Sequence, residues 1–394
     1  NEYAERYSLA VDPHAKVADI PVGMKQKVEI LKALVRGAKI LILDEPTAVL
    51  TASETEELFR QLVILKEQGF TVIFISHKLK EIKRISDRLT IMRGGKSMGV
   101  YETKDISEQD ISRLMVGRDV LLSVDKPPAN PGEPVLCVRD LCCTNEWGKQ
   151  MLKNVSFSVR KGEIMGVAGV EGNGQSDLVK ILFSFLEPDS GSVKFSGNEI
   201  VGAAQEELRK LGISHIPEDR MVFGAAAAAT VEENMISDRF WQKQFNKGPF
   251  FNTPAIHEES DRLIGEYKVK ARSRKQRVRM LSGGNIQKVV VAREFSCSPS
   301  LIIADQPTRG IDVGATEFIR RKMLELSGEG IAVLLISADL NEVMELSDSL
   351  IVMYNGEIAA YFEDTSTLTD FEMGKYMLGL KKQSPEEIGR ALHE

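Results

Sequence analysis

The sequence predicts an α/β fold with mostly parallel strands, built twice along one chain. Residues 40–43 are four consecutive apolar residues followed by Asp-Glu-Pro-Thr, and residues 301–304 are followed by Asp-Gln-Pro-Thr. In both halves, short apolar runs alternate with segments of helical character, which is typical of sheets whose parallel strands are joined by helices. The lack of polar residues within 40–43 predicts a strand that is buried on both faces.

The composition is that of an ordinary globular chain with room for two or three domains. Of its 394 residues, 43% are hydrophobic and 27% are charged. The net charge of −6 and the pI near 5.7 argue against a nucleic-acid partner, which usually requires a basic face. No uncharged apolar run approaches the roughly 18 residues of a spanning helix, and no signal-peptide pattern is present. The four cysteines lack metal-ligand spacing, so we expect reduced packing residues of a cytosolic protein.

The two acid-ended strands belong to a longer repeat. Asp44 and Asp305 are 261 positions apart, and the same offset aligns about 80 residues without a gap. Each copy has a glycine turn, a helix, the acid-ended strand, a second helix, a further apolar strand and a closing strand pair. This order predicts two domains of one fold. The aligned pairs include Gly23 with Gly284, Ser76 with Ser337, Glu81 with Glu342, and Gly95 with Gly356.

Composition divides the chain into four segments. Residues 123–134 contain four prolines and predict a short, semi-rigid linker. Residues 1–122 precede it as part of a first domain, and residues 135–380 follow it as a second domain. Residues 381–394 form a charged, helix-like tail that we expect to be solvated surface.

A glycine-rich loop in the second domain has the pattern of a phosphate-binding loop. Residues 162–168 predict a buried strand, and residues 169–176 then read Gly-Val-Glu-Gly-Asn-Gly-Gln-Ser before a helix. In the pattern G-x-x-x-x-G-K-[ST], backbone N–H groups cradle phosphates, and here Gln175 replaces the lysine. A glycine-rich turn without a ligand stays open as an alternative. The candidate phosphate-binding residues are Gly169, Gly172, Asn173, Gly174, Gln175, Ser176 and Asp177.

The first copy contains no counterpart of this loop. The 261-residue offset would place that counterpart at position −92. We therefore expect that on the order of a hundred or more residues precede Asn1, as the repeat implies.

The two acid-ended strands differ in the chemistry that they can support. Asp44 is placed to hold a Mg²⁺ ion, and Glu45 to activate the water that attacks a γ-phosphate. In the second copy Asp305 keeps the metal carboxylate, but Gln306 cannot take a proton. A buried strand that ends in a solvated acidic turn is the alternative interpretation of residues 40–47.

Several motifs, taken in order, are similar to those of the ABC ATPases. Residues 281–285, Leu-Ser-Gly-Gly-Asn, resemble the LSGGQ signature and begin 24 residues before Asp305. Residues 40–45 resemble a Walker B strand with its catalytic glutamate, and Ser76-His77 resemble the switch histidine. The resemblance covers nearly the whole chain. The motifs at 21–24, 169–175, 217–220 and 306–310 look like those of the fused two-domain ATPases of sugar and nucleoside importers, and the nucleoside (basic membrane lipoprotein) branch is the more similar.

This resemblance implies tandem ABC-type P-loop NTPase domains, each with a mostly parallel sheet, an antiparallel β subdomain and a helical subdomain. Residues 1–122 would be the carboxyl-terminal part of the first domain, and residues 135–380 the second domain. The cofactors would be ATP and Mg²⁺. The partners would be two transmembrane permease subunits and, through them, an extracytoplasmic substrate-binding lipoprotein. Such a chain lies peripherally on the cytoplasmic face of the membrane.

The resemblance also implies composite ATP sites, each built from the phosphate loop, Walker B strand and switch histidine of one domain and the signature of the other. One site would be competent in every visible part. Its residues would be Asp44, Glu45, His77, Ser282, Gly283, Gly284 and Asn285.

The other composite site would be degenerate. Gln175, Gln306 and Ala338 replace the lysine, the glutamate and the histidine, and Pro21 stands where the signature has its serine. Proline offers neither an N–H donor nor a hydroxyl group. Ser176 and Asp305 would still hold Mg²⁺ there.

Two further residues take roles from the resemblance. Trp147 is at the position of the adenine-stacking aromatic residue, with a core tryptophan as the alternative. Glu218 is at the position of the Q-loop glutamine, which senses Mg²⁺ and the membrane subunit.

The sequence thus predicts an ATPase that energises an importer. We expect this chain alone to be inactive, because its competent site needs a lysine-bearing loop. A soluble, non-transport ABC protein of the translation or DNA-repair type is the alternative, and the proline-rich linker and acidic balance argue against it. A purely regulatory or binding module is a third possibility.

Overall fold

The computed structural model describes residues 4, 6–7, 9, 11–17, 20, 22–47, 50, 52–117, 126, 129–366 and 368–393. The chain divides into two compact units. Unit 1 comprises Asn1–Leu122 with Asp312–Gly314, and unit 2 comprises Ser123–Ile311 with Ala315–Glu394. The linker predicted at 123–134 lies partly outside the described residues, so its stiffness stays a prediction.

The described part of unit 1 has a parallel strand pair with helices, followed by an antiparallel hairpin. Its elements are α1 (Val22–Val35), β1 (Ile40–Asp44), α2 (Ala52–Glu67), β2 (Thr71–Ile75), α3 (Leu79–Ile85), β3 (Arg88–Arg93), β4 (Lys96–Glu102) and α4 (Glu108–Val116). β1 and β2 pair in parallel so that Asp44 lies opposite Ile75. The predicted order from the first helix to the closing strand pair is confirmed, but Gly23 lies within α1 and not in a turn before it.

Among the described residues, side chains cover β1 on one face only, so the prediction of a strand buried on both faces is wrong for this part of the chain. Leu41 is buried among apolar side chains of α1 and α2, including Leu31 and Leu62. Ile40 and Ile42 are 59% and 66% exposed. Side chains alternate between the two faces of a strand, so helices on one face cover only every second residue. An apolar run does not reveal by itself whether a second layer is present.

From residue 134 onward the structure combines a six-stranded sheet, a four-stranded antiparallel sheet and a helical region. The strands are β5 (Pro134–Thr144), β6 (Gln150–Arg160), β7 (Ile164–Ala168), β8 (Ser190–Phe195), β9 (Asn198–Glu199), β10 (Ile213–Ile216), β11 (Asn246–Lys247), β12 (Phe250–Phe251), β13 (Leu301–Asp305), β14 (Ala332–Ile336), β15 (Ser349–Tyr354) and β16 (Glu357–Phe362). The helices are α5 (Gln175–Leu182), α6 (Gln205–Lys210), α7 (Val231–Ile236), α8 (Thr253–Glu266), α9 (Gly283–Ser296), α10 (Val313–Gly328), α11 (Leu340–Leu346), α12 (Asp370–Met377) and α13 (Pro385–Gly389). In the described ranges, no helix has the length and apolar character needed to cross a membrane.

The six-stranded sheet has the order β10-β13-β14-β7-β15-β16, and every neighbouring pair except β15 and β16 is parallel. β7, β13 and β14 are buried at every residue, as their apolar sequences predict. The register places Asp305 opposite Ile336, and Ile336 opposite Val167. The Cα atoms of Asp305 and Val167 are therefore about 10 Å apart, two strand spacings. The end of β13 and the loop after β7 share one edge of the sheet.

Two layers of apolar side chains cover the faces of this sheet. On one face lies the predicted antiparallel sheet, β6-β5-β8-β9, with α5, and Phe157 and Leu178 join Leu334 in a single core. On the other face α9 and α10 contribute Val290 and Phe318 to a second core. Burial from both sides explains why the central strands are continuously apolar.

The charged tail is not solvated surface along its whole length, which corrects the sequence-based expectation. Ala391 is fully buried in the core, and Ser158 Oγ donates to the Leu392 carbonyl oxygen at 2.8 Å. A capping box between Ser384 and Glu387 fixes the start of α13. The pattern of charged residues indicates the solvent-exposed face of such a segment, but it does not indicate that one small residue is buried.

Candidate functional site

The carboxyl edge of the unit 1 sheet brings Glu45 and His77 together. β1 ends at Asp44, which is exposed, and Glu45 follows in a left-handed conformation with φ of 44°. The Glu45 N–H donates to the Ile75 carbonyl oxygen at 2.9 Å, which closes the turn against β2. Glu45 Oε1 and His77 Nδ1 are 2.9 Å apart. A carboxylate at this distance from an imidazole suits a general base and its orienting partner.

Hydrogen bonds to α3 tie down the two loops at this edge. Thr47 is buried, and its Oγ1 donates to Glu81 Oε2 at 2.6 Å. Ser76 Oγ donates to the same carboxylate oxygen at 3.4 Å. One carboxylate therefore holds the loop after β1 and the loop after β2 at the same time.

Unit 2 repeats this edge with different side chains at its centre. Gln306 has φ of 50°, and its N–H donates to the Ile336 carbonyl oxygen at 2.8 Å. Thr308 and Ser337 both donate to Glu342, at 2.8 and 2.7 Å. Gln306 Oε1, however, accepts the backbone N–H of Ala338 at 3.1 Å. The backbone of the edge is the same in both units, while unit 2 lacks the base and the imidazole.

The glycine loop of unit 2 runs from β7 into α5, as the pattern predicts. Gly172 and Gly174 have φ of 89° and 104°. A Cβ atom at Gly174 would lie 2.7 Å from the Met151 carbonyl oxygen, so a side chain does not fit there. Asn173 Oδ1 accepts the Asn355 N–H at 2.8 Å, which ties the loop to the turn after β15. The loop is thus held in a curved shape whose first helical N–H groups can face an anion.

Gln175 turns back into this loop. Its side chain is buried, and Nε2 donates to the Val170 carbonyl oxygen at 3.3 Å. A Cβ atom at Gly169 would collide with the Gln175 side chain, so the small residue makes room for it. A neutral amide brings no positive charge to a phosphate. Ser176 is exposed at the start of α5, and Asp177 lies 3.9 Å from Lys180.

Asp305 is a buried carboxylate at the end of β13. Burial raises the pKa of Asp305 to about 7, against a smaller lowering by the charge of Lys180. A divalent cation favours the ionised carboxylate, so Asp305 fits the role of a Mg²⁺ ligand. Within the described ranges, no three His, Cys, Asp or Glu side chains are grouped to hold a metal. Mg²⁺ at Asp305 would therefore take its other ligands from Ser176, water and phosphate oxygens.

The segment that resembles the signature forms the start of α9. Ser282 is the N-cap residue, and Gly283 and Gly284 open the helix. Asn285 Nδ2 donates to Ser282 Oγ at 2.8 Å, and Asn285 Oδ1 accepts the Lys270 N–H at 2.7 Å. The side chain of Asn285 therefore fixes the serine hydroxyl next to the N–H groups of the first helical turn, an arrangement suited to an anion.

Comparison with known proteins places the chain in a family. Residues 2–48 and 152–309, slightly more than half of the chain, match the family described as ABC transporter. The chain belongs to the ABC transporter family. As an ABC ATPase, it is of the kind whose ATP hydrolysis is coupled to transport.

Two relatives and one solved structure show how far the likeness extends. This ABC ATPase is 40% identical over 381 residues to the glucose import ATP-binding protein TsgD13 of Haloferax volcanii, across 96% of this chain and 69% of the relative. It is 40% identical over 390 residues to the guanosine import ATP-binding protein NupO of Bacillus subtilis, across 99% and 76%. The ATP-binding cassette MJ1267 of an ABC transporter superposes with a TM-score of 0.52 at 24% identity, across 63% of this chain and 98% of that one. This last likeness concerns the fold alone.

The structure shows the surroundings of two further residues that the ABC resemblance singled out, Trp147 and Glu218. Trp147 is 88% exposed in the turn between β5 and β6, so the alternative of a core tryptophan is wrong. Its stacking on adenine stays a prediction. The Glu218 carboxylate forms an ion pair with Arg309. Its role as a metal ligand stays a prediction that this pairing argues against.

Sequence reasoning missed the side chains that hold residues 306–310 of the ABC ATPase. Buried Gln287 donates to the Pro307 carbonyl oxygen at 2.8 Å. Arg220 Nη1 donates to the Arg309 carbonyl oxygen at 2.8 Å. The repeat gave one signal, because Gln26 aligns with Gln287. Nothing in the sequence pattern indicates that Arg220 and Arg309 meet, since they lie far apart along the chain.

Proposed function

We propose that this ABC ATPase powers an importer for nucleosides or simple sugars and hydrolyses ATP at one of two composite sites. The 2.9 Å contact between Glu45 and His77 supports the assignment of the active edge to unit 1. The equivalent pair in unit 2 is Gln306 and Ala338. Glutamine cannot accept the proton of an attacking water, so this edge lacks a general base.

At the competent site each residue of the unit 1 edge has a separate task. Asp44 would hold Mg²⁺, which when bound offsets the charge on the β- and γ-phosphates. Glu45 accepts the proton of the attacking water, and His77 holds the Glu45 carboxylate in a fixed orientation. Residues 282–285 complete this site in the tandem arrangement that the family resemblance implies.

At the degenerate site we propose ATP binding without turnover. The first N–H groups of α5 still favour an anion, and Ser176 and Asp305 still offer oxygen ligands for Mg²⁺. Gln175 supplies no charge to the phosphates, and Gln306 supplies no base. The site would therefore hold a nucleotide without hydrolysing it.

An apolar patch supports docking of a permease. Val222 and Phe223 are 68% and 58% exposed, and the rings of Phe223 and Phe185 lie 5.5 Å apart. Contiguous exposed apolar side chains mark protein interfaces. We assign this patch to the cytoplasmic side of two transmembrane permease subunits, which an extracytoplasmic binding protein supplies with substrate. The chain would lie peripherally on the membrane, with ATP and Mg²⁺ as its cofactors.

The substrate class comes from the relatives, whose names specify glucose and guanosine import. The sequence of residues 21–24 and 169–175 resembles the nucleoside branch, so we favour a nucleoside. Uptake of labelled guanosine and of labelled glucose by the reconstituted complex distinguishes the two classes.

Matched substitutions in the full-length protein with its permease test the proposal. Glu45→Gln should lower phosphate release by about 10²- to 10⁴-fold while ATP still binds, because only the general base is lost. Gln306→Glu should leave the rate unchanged, because Gln175 and Ala338 still replace the lysine and the histidine. Substantial turnover in Glu45→Gln would show that the active edge has been assigned to the wrong unit.

A further inference from the structure

The loop at 306–310 is tied to several parts of unit 2. These five residues directly follow Asp305 and include no helix or strand. The side chain of Gln306 reaches the loop after β14, and that of Thr308 reaches α11. The carbonyl oxygen of Pro307 accepts from α9. The ties at the last two residues come from one short segment, residues 217–220.

Glu218 and Arg220 make the contacts of that segment. The Glu218 carboxylate pairs with the Arg309 guanidinium, and both side chains are half-buried. Arg220 donates to the carbonyl oxygens of Arg309 and Gly310, at 2.8 and 3.4 Å. A Cβ atom at Gly283 would lie 2.8 Å from Arg220 Nη2, so the guanidinium also lies against the start of α9. The segment thus contacts both the loop after β13 and the signature-like helix start.

The ion pair affects what Glu218 can do chemically. A carboxylate engaged by a guanidinium makes charge-assisted hydrogen bonds that fix its orientation. A Mg²⁺ ion needs oxygen ligands at short, nearly octahedral positions. The pair engages Oε1 of Glu218, so this oxygen would have to leave Arg309 to become such a ligand. The observed pairing makes it a structural partner of the loop.

The segment is also rigidly connected to the apolar patch. Asp219 Oδ1 accepts the N–H groups of Met221 and Val222, at 2.8 and 3.0 Å. The Phe223 N–H also donates to the Asp219 carbonyl oxygen at 3.0 Å, so residues 221–223 are all bonded to Asp219. A partner that moves this patch would pull directly on the loop after Asp305.

We infer that Glu218 and Arg309 are a positioning pair. The pair holds the loop at 306–310, and through it Asp305, in a fixed position relative to residues 217–220. The inference rests on the proposed nucleotide site of unit 2 for its effect on ATP. Its geometric part concerns the loop alone. Glu218 acts through Arg309 and not as a metal ligand.

Charge reversal in the full-length protein tests the pair. The variants are Glu218→Arg, Arg309→Glu and the double variant that exchanges the two charges. Glu329→Arg, an exposed charge reversal elsewhere in unit 2, is the matched control. Hydrogen exchange of peptides covering 306–310 measures the loop, and Mg-ATP protection of peptides covering 169–176 measures the nucleotide site.

Each single variant should speed exchange at 306–310 and weaken ATP protection by at least about threefold, and the exchanged pair should recover most of both losses. The Mg²⁺ concentration for half-maximal protection should rise to the same extent in both single variants, because each displaces Asp305 by the same route, and it should return in the double variant. A rise in that concentration in the Glu218 variant alone would make Glu218 a metal ligand and overturn the inference. Single variants that both impair the loop without recovery in the double variant would also overturn it.

The two proposals fail in different ways. Absence of Mg-ATP protection at 169–176 in the unsubstituted protein would refute nucleotide binding by unit 2. Exchange at 306–310 in the same samples would still decide whether the pair holds the loop.

Discussion

The carboxyl edges of the two sheets share a backbone and differ in chemistry. In each unit the residue after the strand has a positive φ, and its N–H donates to the neighbouring strand. A buried or half-buried threonine then donates to a glutamate of the helix that follows the neighbouring strand. Unit 1 places Glu45 against His77 on this frame, whereas unit 2 places Gln306 against a backbone N–H. The backbone frame of such an edge is therefore the same in both units although the side chains at its centre differ.

The largest effect that separates the two edges should come from the histidine position. His77→Ala should lower phosphate release of the full-length complex by about 10²-fold, because the base loses its orienting partner. Ala338→His places an imidazole at the equivalent position of unit 2, where Gln306 cannot accept a proton from the attacking water. It should therefore leave the rate unchanged. A gain in rate from Ala338→His, abolished by Asp305→Ala, would mean that both edges are catalytic.

A second difference lies in the two proposed metal ligands, since Asp44 is exposed and Asp305 is buried. The pKa of Asp305 is raised to about 7 from 3.8, so the native state holds a proton that the unfolded chain releases between those values. Without Mg²⁺, this group should lower the free energy of unfolding as the pH rises from about 4 to 7, by at most about 4 kcal/mol. Asp305→Asn should remove that decline, and Asp44→Asn should not.

Urea unfolding of the three proteins at pH 5 and pH 8 checks this expectation. The comparison of each variant with the parent separates the pH dependence due to Asp305 from that due to His215. Burial lowers the pKa of His215 to about 4, so His215 changes the free energy of unfolding with pH in the opposite direction. Equal pH dependence in Asp305→Asn and in the parent would show that the Asp305 carboxylate is not a source of instability.

The smallest effect concerns the glycine loop of unit 2. Gln175→Lys supplies the missing charge and should tighten Mg-ATP binding at this loop about tenfold, because charge-assisted contacts replace a neutral amide. Gln175→Met, which is of similar length and carries no charge, is the control and should not tighten binding. The measurement is Mg-ATP protection of residues 169–176. Equal affinity in the lysine and methionine variants would show that backbone N–H groups alone determine binding.

The strand ends at both edges followed from the sequence because they depend on local patterns. Apolar runs that end in an acid, a proline and a threonine specify strand ends, and the 261-residue offset relates Thr47 to Thr308 and Glu81 to Glu342. The glycine loop was predictable for the same reason. Its glycines are required where the backbone of another segment lies too close for a side chain, as at Gly174.

What the sequence could not show depends on contacts between distant residues. The pairing of Glu218 with Arg309 joins loops that no pattern connects. The exposure of one face of β1 depends on how many layers cover the strand, and the residue type of Ile42 does not reveal whether its side chain is covered. The buried position of Ala391 depends on the surface that receives it.

The position of β7 in the central sheet has a consequence for synthesis of the protein. β7 ends at Ala168, yet its two neighbours are β14 and β15, which begin at Ala332 and Ser349. While the ribosome is still translating the intervening residues, β7 has no strand on either side to pair with. Both faces of β7 are apolar, so the unpaired strand is prone to associate with the wrong partner. Contacts of such long sequence separation also slow folding. We therefore expect the nascent chain to need chaperone shielding from the emergence of β7 until that of β15.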